Sequence, residues 1–255
     1  GAFLLAACQN ILVVTKGAVY IAMSSSELDT LQSSFRAAGG KWSTFVIWAK
    51  NTFTLGRADY QRQYEPILYG WKDGADHYWC GARDQGDVWF FDKPVKNDLH
   101  PTMKPVELVE FCINNSSKTG WVVGEPFGGS GTTLIACAKT GRIARLIEID
   151  PRYCDVIRRR WTRYWLVDPL DDQQDLALRA RSYLHVNCAG CHVEAGGGNS
   201  QFSAEFTATI EQQKLIGARP VHSTFDLPDP ALVKPGHPES SVLLHRVATR
   251  GPGQM

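Results

Sequence analysis

The chain has 255 residues, 44% of them hydrophobic, and a formal net charge of +1, which suits soluble globular material of one α/β domain plus a small second module. So small a net charge excludes nucleic-acid binding by bulk charge alone. No run approaches the roughly 18 uninterrupted apolar residues of a membrane span. Seven cysteines without paired spacing beyond one C-x-x-C exclude a disulfide framework.

The first elements follow from patterning. GAFLLAACQNILVV is apolar at helical spacing, GAVYIAM reads as a buried strand, and Ser24-x-x-Glu27 has the form of a capping box for a helix through Phe35. Leu5-Ala6-Ala7-Cys8 imitates a lipoprotein processing site. It lacks a basic n-region and leads straight into strand and helix, so the expectation is an interior helix. An aromatic and basic region comes next, in which Trp42, Trp48, Tyr69, Trp71, Tyr78, Trp79, Trp89, Phe90 and Phe91 alternate with Arg57, Arg62, Lys72, Arg83, Lys93 and Lys96. Aromatic residues in strands mostly build core and interleaved lysines mostly face water. Phosphate and base-edge contact is the alternative.

The stretch from His100 to Trp161 carries the most information. It reads as a helix, a strand ending in Glu125, a glycine turn, a helix, a second strand ending in Glu148 and another helix. That layout puts a glycine-rich turn and an acidic strand end at one edge of a parallel sheet, where nucleoside cofactors bind. Gly128, Gly129 and Gly131 have no Cβ, so the backbone can turn sharply and approach a ligand. Thr132 and Thr133 open the next helix, whose first amides lack intrahelical partners. Glu148 follows about 20 residues on, the spacing at which a carboxylate meets ribose hydroxyls. GGSGTT lacks the lysine of a triphosphate-cradling loop.

HPTMKP, EPFGGSGTT and IEIDPRYCDVIRRRW together resemble the permuted bacterial DNA amino-methyltransferases, and GAVYIAM, FVIWAKNTFTLGR and QYEPILYGW extend the likeness over about residues 1 to 165. The resemblance implies methylation of adenine N6 or cytosine N4 in double-stranded DNA with S-adenosylmethionine. The cofactor would be surrounded by His100, Thr102, Lys104, Pro105, Glu125, Pro126, Phe127, Gly128, Gly129, Ser130, Gly131, Thr132 and Glu148. It also implies that target recognition lies within residues 51–99, where Arg57 and Arg62 are the best DNA candidates. Glu125 stands where that family usually has Asp. The family's catalytic tetrapeptide, [DNS]-P-P-[YFW], occurs nowhere in the chain. The expectation is a methyltransferase fold that methylates nothing alone.

A different pattern begins after Trp165. LVDPLDDQQD reads as a boundary, with residues 166–174 as linker. The first 165 residues carry 20 Lys and Arg against 16 Asp and Glu, and the other 90 carry 7 against 10, a change of sign consistent with two origins. Cys188-Ala-Gly-Cys191-His192 is the attachment signature of c-type haem, with two thiols for the vinyl groups and His192 for the iron. Residues 175–255 resemble the haem modules of secreted bacterial c-type cytochromes. That likeness implies covalent haem c, an electron-transfer partner and Met255 as second axial ligand, with His222, His237 and His245 as competitors. Half a zinc site and a redox pair are the other readings of a lone C-x-x-C.

The expected fold is therefore α/β, an incomplete Rossmann-like S-adenosylmethionine-dependent methyltransferase sheet, followed by an incomplete, small, mainly α and loop cytochrome c-like module. The first part implies a cytoplasmic location and the second a periplasmic or secreted origin. That conflict favours a chain joining the tail of one gene product to the front of a cytochrome module.

Overall fold

A computed structural model describes residues 1–57, 59–94, 103–193, 198 and 202–250. It divides into two compact units, Gly1–Trp161 and Thr162–Met255. In the first unit α1 (Ala2–Val14), β1 (Val19–Ala22), α2 (Leu28–Ala37), the long strands β2 (Gly40–Thr54) and β3 (Arg62–Lys72), and β4 (Val88–Phe90) precede the stretch singled out above. That stretch forms α3 (Val106–Ser116), β5 (Val122–Glu125), α4 (Thr132–Thr140), β6 (Ile143–Leu146) and α5 (Pro151–Trp165).

Where one sheet was expected, the described strands form two. One is four-stranded in the order β1-β3-β2-β4, antiparallel except for the β2–β4 pair, and the other is the parallel pair β5–β6. Strand order depends on backbone pairing between distant segments, which hydrophobic periodicity does not encode. Strand alternation sends Leu68 to one face of the larger sheet and Ile67 and Tyr69 to the other. Leu68 joins Cys8, Leu12, Val19, Leu31 and Phe35 beneath α1 and α2. Ile67 and Tyr69 pack with Val46, Trp48, Trp89 and Leu108 beneath α3.

The helix α3 is apolar on two sides. Leu108, Phe111 and Cys112 serve the larger sheet, while Val106, Val109 and Ile113 pack with Ala136, Cys137, Val123 and Ala144 against α4 and the β5–β6 pair. It thus holds the segment just ahead of it, Lys104 and Pro105, between the two sheets.

Two local expectations need correction. Ser24 caps a short 3-10 turn, Ser25–Glu27, accepting from the amide of Ser26, and no reciprocal capping box forms with Glu27. The strand β6 ends at Leu146, two residues before Glu148. The chain there bends toward the glycine turn, which takes up the backbone groups that a longer strand would have paired.

In the second unit α6 (Leu176–Cys188) is capped by Asp175, whose side chain accepts from the amide of Leu178 at 3.0 Å. The short helices α7 (Ile210–Gln213) and α8 (Val242–Ala248) follow, with loops between them. Its core gathers Cys188, Ala189, Phe202, Ala204, Leu215 and Leu243. Among the described residues no helix is long and apolar enough to cross a membrane.

Phe35 is fully buried, and a Cβ at either Gly40 or Gly70 would come within 3.0 Å of its ring, so the helix lies directly on the glycine backbone of the sheet. Phe35→Ala should destabilise the first unit by about 3–5 kcal/mol, since the cavity cannot collapse against backbone. Urea unfolding followed by tryptophan fluorescence measures it, and a loss below about 1 kcal/mol would contradict this packing.

Candidate cofactor site

The turn between β5 and α4 needs glycine for two distinct reasons. Gly129 and Gly131 have φ of 52° and 74°, the left-handed region that costs other residues energy. A Cβ on Gly131 would lie 3.0 Å from Cγ2 of Ile157, and one on Gly128 would lie 3.2 Å from the carbonyl oxygen of Ile147. The bend is closed internally by the amide of Gly131, which donates to the carbonyl of Gly128 at 2.8 Å. It is tied to the second strand by the amide of Gly128, which donates to the carbonyl of Ile147 at 2.8 Å.

Glu148 completes that tie. Its Oε2 accepts from the amide of Gly129 at 2.7 Å and its Oε1 from the amide of Asp150 at 2.9 Å. These amide bonds, that from Asp150 first, hold its carboxyl below the usual range against some desolvation. Glu125 shows the opposite behaviour. Burial pushes its carboxyl up, although it accepts from the amide of Phe127 at 3.0 Å and from Thr133 Oγ1 at 3.1 Å and lies in the field of Lys104.

Arg160 of α5 was not expected here. Its Nη1 donates to the carbonyl of Ser130 at 2.7 Å, to Ser130 Oγ at 2.8 Å and to Thr132 Oγ1 at 3.1 Å. Thr132 Oγ1 in turn donates to the carbonyl of Lys104 at 3.3 Å. The segment before α3, the glycine turn and α5 therefore share one hydrogen-bonded chain. The sequence signal was Ile157 and Arg160 at i and i+3, one face of a helix. Three consecutive arginines concealed which one turns inward.

Of the expected cofactor residues, Lys104, Glu125, Gly128, Gly129, Ser130, Gly131, Thr132 and Glu148 surround this turn or bond within it, and Pro105 is the buried N-cap of α3. Pro126 is exposed between Glu125 and the bend, and Phe127 is largely exposed beside Phe3. His100 and Thr102 lie outside the described residues. Arg57 and Arg62 stand apart from this bonding, at the tip of the β2–β3 hairpin, where Arg62 donates to Ser24 Oγ at 3.1 Å. Phe53, Leu55 and Tyr60 are exposed on the same tip.

In the second unit Cys188 ends α6 and is buried, which pushes its thiol pKa up, while Cys191 is exposed. The ring of His192 stacks on Phe202 at 4.3 Å, and its buried Nδ1 has no hydrogen-bond partner among the described residues. His192, Phe202, Leu215, His222, Leu243 and Arg246 help to line a cavity of about 280 Å³. Of the three competing histidines, His222 lines that cavity, His237 pairs with Glu239 at 3.1 Å, and His245 lies against Phe225. Met255 is outside the described residues.

Residues 7–159 match the family described as DNA methylase, and the chain belongs to that family. It is 28% identical over 160 residues to the type II methyltransferase M2.DpnII of Streptococcus pneumoniae, covering 56% of this chain and 60% of that one. It is 36% identical over 143 residues to the type II methyltransferase M.ScaI of Streptomyces caespitosus, covering 44% and 47%. Less than two thirds of either relative is therefore spanned. The fold is similar to that of M1.HpyAVI, solved as a complex with SAM, with a TM-score of 0.55 and 23% identity over 62% of this chain and 81% of that one. The family match ends at residue 159 and carries nothing on the second unit.

The depressed pKa of Glu148 gives a signed expectation. Its ordinary value is 4.5 and its folded value is lower, so the carboxylate stabilises the fold above about pH 4.5 and loses that contribution as pH falls through the folded value. Glu148→Gln should lower the thermal midpoint at neutral pH and make the decline between pH 6 and pH 3 shallower. Parallel midpoint-versus-pH curves for the two proteins would contradict the assignment.

Proposed function

We propose that this DNA methylase family chain supplies the S-adenosylmethionine site of a DNA methyltransferase that modifies adenine N6 or cytosine N4. The observation that carries the reading is the glycine turn held against Glu148 by the amide of Gly129. S-adenosylmethionine, when bound, supplies an electrophilic methyl group. Glu148, already anchored by two amides, keeps further oxygen lone pairs for sugar hydroxyls. Gly128 and Gly131 let the turn pack directly on the Ile147 carbonyl and the Ile157 side chain, contacts that a Cβ at either position would crowd. Lys104, Pro105 and Glu125 flank the turn, with His100 and Thr102 as further members of the set.

The substrate nitrogen is a poor nucleophile because its lone pair is delocalised into the base. Methylation therefore calls for a flipped base on an aromatic platform and for oxygen acceptors that favour the developing tetrahedral nitrogen. The tetrapeptide that would provide both is not among these 255 residues. The chain alone binds cofactor and transfers no methyl group. Residues 51–99 are assigned to double-stranded DNA, with Arg57 and Arg62 on phosphates and the exposed Phe53, Leu55 and Tyr60 beside them.

A second reading concerns residues 175–255, and the buried Nδ1 of His192, which has no hydrogen-bond partner among the described residues, favours it. Covalent haem c would be held by Cys188, Cys191 and His192, with Met255 as a further iron ligand and His222, His237 and His245 as its competitors. Haem supplies a one-electron couple at its iron. The donor set fits, because a porphyrin needs only one or two protein ligands. A structural zinc needs about four, and among the described residues no group of three or more His, Cys, Asp or Glu could hold a metal ion.

Calorimetry with S-adenosylmethionine should show binding to the 255-residue chain. Gly131→Ala, which forces a Cβ against Ile157, should weaken it roughly tenfold, equivalent to about 1.4 kcal/mol. Radiolabelled methyl transfer to DNA should be absent, and incorporation by the purified chain would overturn that part. Co-expression with a haem-attachment system should give a covalent Soret-absorbing product that Cys188→Ala plus Cys191→Ala removes. A colourless unsubstituted protein would end the haem reading.

A further inference from the structure

We infer that Glu65 is a positioning residue for the cofactor segment: its carboxylate binds Lys104 to the β2–β3 hairpin and thereby fixes the residue that adjoins the glycine turn. The inference rests on the S-adenosylmethionine reading given above.

Glu65 lies on β3, opposite Trp48 of β2. Its two oxygens go to different cations, Oε2 to Lys50 Nζ at 3.1 Å and Oε1 to Lys104 Nζ at 2.8 Å. The three side chains retain 19% (Glu65), 13% (Lys50) and 23% (Lys104) of their exposure, so this is not a solvated surface bridge. The Lys50 ammonium also lies 4.5 Å from the centroid of the Trp48 ring, a cation–π contact that fixes the far side of the cluster.

Lys104 is held at both ends. Its ammonium meets Glu65, and its carbonyl accepts from Thr132, the first residue of α4. It is followed by the buried Pro105, the N-cap of α3, which packs between the two sheets. The ammonium also acts on Glu125 at the end of β5, whose carboxyl it helps to hold down against burial. Glu65 thus sits on a strand remote in sequence, yet decides where the positive charge beside the turn is placed.

Glu65 serves two lysines at once, and Lys104 also lies in the field of the partly buried Glu125. Removing the carboxylate leaves two ammonium groups, partly desolvated and mutually repelling, which is far more costly than losing one exposed pair. Lys104 lies outside the strands and its ammonium is placed by Glu65, while Lys50 is also held by β2 and Trp48. Glu65→Gln keeps the shape of the side chain and removes its charge. It should therefore displace Lys104 and disturb the turn through Thr132.

The test is a double-substitution cycle on the 255-residue chain, read by calorimetry with S-adenosylmethionine. Glu65→Gln should raise the Kd at least fivefold, and Glu65→Gln with Lys104→Gln should bind no more weakly than Lys104→Gln alone. A purely structural role would lower the thermal midpoint without that non-additivity. An effect of Glu65→Gln below twofold, or penalties that multiply in the double variant, overturns the inference while leaving the cofactor reading intact. No binding by the unsubstituted chain overturns both. Should Glu65→Gln not fold, Glu65→Asp keeps the charge one methylene short of Lys104 and should give a smaller rise in Kd, and an unchanged Kd overturns the inference.

Discussion

The carboxylate of Glu148 and the amide of Gly129, 2.7 Å apart, join the segments that follow β5 and β6, whose own parallel ladder is short. The bend has one internal bond, from the amide of Gly131 to the carbonyl of Gly128, and its other ties come from outside. The carbonyl of Ile147 takes Gly128, Glu148 takes Gly129, and Arg160 takes Ser130. The result is a turn whose amides and carbonyls are held by Ile147, Glu148 and Arg160, with the Ile157 side chain packed against Gly128 and Gly131.

The two acidic residues at this site are not equivalent. Glu148 is surrounded by amides that favour its charged form, so it is an acceptor at any ordinary pH. Glu125 is more enclosed and its carboxyl is pushed up by burial, tempered by Thr133 and Lys104. The longer side chain at position 125, where the resembled family usually has Asp, is occupied with its own turn: it accepts from Phe127 and Thr133. Its extra methylene is thus spent on holding the start of the bend.

The second unit follows different physics. Among its described residues it has two short α-helices besides α6, isolated bridges in place of sheets, and a small apolar core beside Cys188. Much of its internal bonding comes from side chains reaching loop carbonyls, as when Arg181 donates to those of Phe206 and Ala208. Such a body leaves a cavity next to His192 which its own side chains do not fill. The stacked ring of His192 on Phe202 fixes the imidazole plane, while its Nδ1 is without a described partner.

The sequence by itself determined the order of helices and strands from Val106 to Trp165, the place of the bend, and the acid that closes it. Those features are local: apolar period, glycine at a strand end, and the spacing to the next strand. The same local cues misplaced the end of β6 by two residues and suggested a capping box that does not form, because both depend on which partner a backbone group finally meets. Tertiary structure alone decided that the described strands form two sheets, that Arg160 is the inward-facing arginine of three, and that Glu65 reaches Lys104. Each of these is a pairing across distant positions. Pairing energy depends on distance in space, and one-dimensional spacing carries no record of it.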